Sequence, residues 1–115
     1  KIYEDENYFA FLDINPLQKG HTLVIPKKED DYIFNLDDAT YSGLMMTAKK
    51  IAAAIKESTN CKRVGVTVLG MEVPHVHIHL VPMNSEKDML FSNPKMELSK
   101  EEFEAIAADI AKRVK

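Results

Sequence analysis

The 115-residue chain is 45% hydrophobic and 29% charged, with a net charge of −3 at neutral pH. These proportions fit one soluble globular domain and leave no basic footprint for direct nucleic-acid binding. No apolar run approaches membrane-spanning length, so no membrane partner is expected, and the lone Cys61 excludes an intramolecular disulfide and suits a reducing cytoplasm.

The chain opens at Lys1 rather than Met, which suggests that an N-terminal segment is missing from this sequence. Without repeats, low-complexity tracts or linkers, residues 1–115 read as a single domain. Residues 1–4 and 7–13 read as two strands around the polar turn Asp5-Glu6-Asn7, the second carrying the aromatic run Tyr8 to Leu12. Pro16 and Gly20 break the chain before a third strand, His21 to Ile25, which stops at Pro26. A long helix is predicted over residues 38–57, with Asp37 as N-cap and Tyr41, Leu44, Ala48, Ile51 and Ile55 on one apolar stripe. Residues 61–69 read as extended, Gly70 as a turn, and 83–97 as irregular surface loop. The last helix starts at Ser99, where Ser99-Lys100-Glu101-Glu102 has the form of a capping box. About five hairpin-connected strands with one long central helix and a C-terminal helix predict an antiparallel α+β domain.

Between Pro74 and Pro82 the sequence alternates imidazole with aliphatic side chains: His75, His77 and His79 against Val76, Ile78 and Leu80. On a strand this alternation places the imidazoles on one face and the aliphatics in a core. Histidine is a mediocre strand former and costly to bury, so a structural role gains little from such a row. Three readings arise. One is a solvated face. Another is a metal site, to which Asp13, Glu72 or His21 could contribute; alternate Cα atoms lie about 6.6 Å apart, so one tetrahedral ion would not gather all three from a straight strand. The third is nucleophilic catalysis at phosphorus, because a neutral imidazole is a good nucleophile near pH 7 and its neighbours can donate hydrogen bonds or orient it.

The run His75-Val76-His77-Ile78-His79-Leu80-Val81 resembles the signature of the histidine triad (HIT) superfamily. A second block, Phe11-Leu12-Asp13-Ile14-Asn15-Pro16 followed by Gly20-His21-Thr22-Leu23-Val24-Ile25-Pro26-Lys27, resembles the upstream segment of that family and carries its fourth histidine. The resemblance covers about residues 1–82. It implies a HIT-like fold and a nucleotide hydrolase that acts at the α-phosphate of nucleoside monophosphate derivatives, of phosphoramidate type and with a purine base. His77 would be the nucleophile and form a nucleotidyl-imidazole intermediate. His79 would hydrogen-bond the phosphate and assist the leaving group. His75 would help orient His77 through its backbone carbonyl, with His21 supporting the side chain of His75. Asp13 would grip the ribose hydroxyls, and Phe11, Leu12 and Ile14 would border the base; plain core packing is the other reading for Phe11 and Ile14. The resemblance further implies a homodimer and a reaction needing neither metal nor other cofactor. Dinucleoside polyphosphate hydrolysis and a nucleotide-binding module with little turnover are the alternatives.

The chain departs from the pattern just before the triad. In Leu69-Gly70-Met71-Glu72-Val73-Pro74 the glycine is kept, but Met71 stands where relatives carry Gln, and Glu72 where they often carry Ser or Thr. Glu72 would repel an anionic substrate if it faced the site, could hold a substrate amine, or could simply face solvent. Thr67 is the nearest replacement for a missing upstream Asn.

Overall fold

The computed structural model describes residues 1–115. Its strands are β1 (Tyr3–Glu4), β2 (Tyr8–Leu12), β3 (Thr22–Pro26), β4 (Arg63–Thr67) and β5 (Ile78–Met83). They form one antiparallel sheet in the order β1-β2-β3-β5-β4. Helix α1 (Asp38–Thr59) connects β3 to β4, and α2 (Lys100–Arg113) ends the chain. This is the expected α+β architecture.

Local chemistry explains the elements. The β1–β2 turn closes on Asp5, whose Oδ1 accepts from the N–H groups of Asn7 and Tyr8, each at 2.8 Å. Gly20 takes φ +100° immediately before β3, a conformation that a β-carbon would strain. In α1, Leu44, Ala48, Ile51 and Ile55 are buried at helical spacing, and Thr47 and Ala54 widen the stripe. Asn60 then ends the helix with φ 56°, a left-handed conformation that Asn tolerates well. The Ser99–Glu102 capping box opens α2.

Helix α1 covers one face of the sheet. Leu44, Ile51 and Ile55 pack there in one core with Ala10, Val24, Val76, Ile78 and Leu80. Burial of each large aliphatic side chain contributes roughly 2 kcal/mol. Helix α2 buries Ile110 in the same core. It is tied to α1 through the Ser58–Asp109 hydrogen bond and the Arg113–Glu57 ion pair at 2.9 Å.

One expectation is revised and another is refined. β5 begins at Ile78, so His75 and His77 precede the regular strand and only His79 lies on it. Alternation nevertheless persists on the aliphatic side, since Val76, Ile78 and Leu80 are all buried. The 83–97 stretch also contains a 3-10 turn, Glu86–Met89, and the Met96 N–H donates to the Pro16 carbonyl at 2.9 Å. None of its residues is buried, so it is the expected surface loop, fastened at Met96 as a strap.

Candidate active site

On the face opposite α1 lies a cleft of about 760 Å³, bordered by all three triad histidines. Strand register explains how they meet there. Leu23 of β3 and Thr67 of β4 both oppose His79, which fixes that imidazole at the sheet centre. His75 and His77 continue the extended chain beyond β5. That segment is held by the Val76 N–H, which donates to the Asp30 carbonyl at 2.8 Å.

Backbone groups determine which nitrogen of each imidazole carries its proton. The His77 Nδ1–H donates to the His75 carbonyl at 2.7 Å, because a carbonyl oxygen only accepts. The Nε2 of neutral His77 is then a free lone pair. Similarly, the His75 Nε2–H donates to the Pro26 carbonyl at 2.8 Å. On the other side of the cleft, the Leu17 N–H donates to Nδ1 of His21 at 3.0 Å. Neutral His21 must therefore be protonated at Nε2, which lies 3.0 Å from Nδ1 of His79 and donates to it. His79 in turn carries its proton on Nε2. One backbone amide, relayed through His21, makes His79 a hydrogen-bond donor.

This arrangement corrects one expectation. His21 supports His79, not His75; the side chain of His75 rests on Pro26 instead. The ladder accounts for the difference. His21 precedes Thr22, which opposes Leu80, so it lies diagonal to His79, whereas His75 is near the Pro26 end of β3.

Burial depresses the pKa of His79 to about 4, with the adjacent His21 and His77 adding to the effect and Asp13 opposing it. His21 is lowered too, chiefly by burial, with Lys95 contributing and Asp13 again opposing. Both rings are accordingly neutral near pH 7. The His77 and His79 rings lie 4.9 Å apart, centroid to centroid, close enough to act on one phosphate group.

Asp13, His21 and His79 converge closely enough to raise the question of a metal ion. The donor set does not fit one. His21 could ligate through Nε2 only with its proton on Nδ1, where it would face the Leu17 N–H donor.

The remaining predicted residues divide. Phe11, Asp13 and Glu72 line the cleft. Asp13 Oδ1 accepts from the Asn15 N–H at 2.8 Å, and its Oδ2 lies 3.5 Å from His21 Nε2. Leu12 is not at the cleft: it packs against the core, on the face that it shares with Ala10. Ile14 is 78% exposed and also outside the lining. Among the lining residues to which the sequence assigned no site role are Leu23, Ile25, Phe91 and Lys95. Period-two alternation with buried Val24 would have placed Leu23 and Ile25 on this face. The Phe91 ring meets the His79 ring nearly edge-on at 4.9 Å. Its one sequence signal is that it is the sole aromatic residue between Met83 and Glu97.

The family model for the HIT domain matches residues 1–86. An uncharacterized HIT-like protein of Borreliella burgdorferi is 34% identical over 122 residues, covering 99% of this chain and 88% of its own. The adenosine 5'-monophosphoramidase hnt1 of Schizosaccharomyces pombe is 33% identical over 117 residues, covering 100% of this chain and 88% of its own. Among solved structures, a hypothetical histidine triad nucleotide-binding protein from Sulfolobus tokodaii superposes with a TM-score of 0.82. It is 29% identical, over 98% of this chain and 81% of that one.

Proposed function

This chain belongs to the HIT domain family, and we propose that it is a nucleotide hydrolase cleaving phosphoramidate-type derivatives of purine nucleoside monophosphates. The observation that carries this reading is the His77 Nδ1–H bond to the His75 carbonyl, which leaves Nε2 as an oriented lone pair beside the cleft. In the proposed reaction, Nε2 attacks the α-phosphorus, the bond to the leaving amine breaks, and the amine departs with a proton taken from solvent, which the water of the second step returns. Water then cleaves the phosphorus–nitrogen bond of the nucleotidyl-imidazole, giving the nucleoside monophosphate and restoring His77. His79 donates its Nε2–H to the phosphate or the departing group.

Asp13 is the acceptor for the ribose hydroxyls, and Phe11, Leu23 and Ile25 supply an apolar wall for the base. Lining carboxylates at Asp13 and Glu72 favour a substrate of low negative charge, such as a phosphoramidate, over a dinucleoside polyphosphate. The route needs no cofactor, so turnover is expected to persist in chelator. Wild-type protein should release AMP from adenosine 5'-phosphoramidate, and His77→Ala should lower the rate about a thousandfold or more while remaining folded. Undiminished release in that variant removes His77 as nucleophile.

A second copy is proposed to pair along β4, an edge strand on which Val66 is 52% exposed, with Met46 of α1 also uncovered. Sedimentation should then report a dimer, and a Val66→Lys variant a monomer. The buried thiol of Cys61 accords with a cytoplasmic location.

A further inference from the structure

The charge lining the cleft is unbalanced. Two carboxylates, Asp13 and Glu72, border it, and Lys95 is the single Lys or Arg side chain that does so. The neighbouring imidazoles do not make up the difference, since burial keeps His21 and His79 neutral near pH 7. An entering nucleotide phosphate thus meets two anions and one fixed cation.

Lys95 is held by backbone oxygens and forms no salt bridge. Its Nζ donates to the carbonyls of Phe91 at 2.5 Å and Asn93 at 3.1 Å, in an exposed setting. Lys95 shares the cleft lining with Phe91 and the triad: Nζ is 6.0 Å from the phenyl centroid, and that ring is 4.9 Å from the His79 ring. The Met96–Pro16 hydrogen bond fastens the segment to the loop that carries Asp13. Exchanging exposed neutral carbonyls for a phosphate oxygen adds the attraction of an anionic acceptor to hydrogen bonds whose donor is already charged.

Resting on the nucleotide reading above, we propose that Lys95 is a substrate-binding residue that pairs with the phosphate of the bound nucleoside monophosphate unit. The neutral nucleoside gains nothing from this contact. Lys95 therefore sets how strongly the cleft prefers a phosphorylated ligand.

The test compares AMP with adenosine by titration calorimetry on the full chain. Lys95→Gln should weaken AMP binding roughly five- to tenfold, leave adenosine binding unchanged, and flatten the dependence of AMP affinity on KCl concentration. Lys95→Arg should recover most of the loss. If Lys95 only held the strap in place, both ligands would weaken together and their affinity ratio would stay constant, which overturns the proposal. A wild-type protein that binds AMP, with a Lys95→Gln variant that binds it equally well, overturns the proposal and leaves the nucleotide reading intact. A wild-type protein that binds neither ligand overturns both.

Discussion

On the side of the sheet covered by α1, Val76, Ile78 and Leu80 share one aliphatic core with Leu44, Ile51 and Ile55. On the opposite side, the alternate residues of the same run border an open cleft. There each imidazole is oriented by a hydrogen bond to a backbone group or to another ring. The first face is ordered by volume and the second by direction. Apolar contacts are non-directional, so the core needs apolar side chains of about the right size. A catalytic face needs particular nitrogens to carry particular protons, and here that information comes from the Leu17 amide and the His75 carbonyl.

Substitutions on the two faces should accordingly fail in different ways. The largest loss of stability is expected from Leu44→Ala on the dry face, about 3–4 kcal/mol by denaturant titration, with Michaelis parameters little changed in the protein that remains folded. A large fall in kcat with little loss of stability would contradict the division.

Acid should act through the other face. The His79 pKa is about 4 in the folded chain against an ordinary imidazole value of 6.5. Above pH 6.5 the ring is neutral both folded and unfolded, so it adds no pH dependence. Between 6.5 and 4 the unfolded chain takes up the proton and the folded chain does not, so stability falls with pH by up to about 3 kcal/mol. His79→Gln should reduce the slope measured in urea titrations at pH 7, 5.5 and 4.5, leaving the part that comes from buried His21; an unaltered slope assigns the acid sensitivity elsewhere.

The smallest expected effect sharpens the comparison most. His21→Ala removes the donor to His79 Nδ1 without altering the His77–His75 contact, so kcat should fall roughly tenfold with KM nearly constant. His21→Gln, which keeps an N–H donor, should restore part of the rate. Equal rates in wild type and both variants would mean that the relay from Leu17 has no catalytic consequence.

The elements legible in the sequence are those with short-range causes. The α1 stripe, the Ser99–Glu102 capping box and the aliphatic half of the triad run each follow from spacing over a few residues. The upstream block from Phe11 to Lys27 also pointed to Asp13 and His21, which the fold brings beside His79. Leu12 shows the limit, since period-two alternation with Ala10 turns it to the core although the motif around it belongs to the site. Phe91 and Lys95 were illegible because a hydrogen bond between Met96 and Pro16, eighty positions apart, folds their strap over the cleft. No local pattern encodes such a contact.

From its amino acids alone, then, this protein declares an antiparallel α+β domain, a family resemblance and a candidate nucleophile, because periodicity and motif spacing act along the chain. Which imidazole His21 touches, which nitrogens carry protons, and which cation reaches the cleft depend on strand register and on distant segments closing over the sheet. Those are properties of folded geometry, since hydrogen bonds act over about 3 Å whatever the separation in sequence.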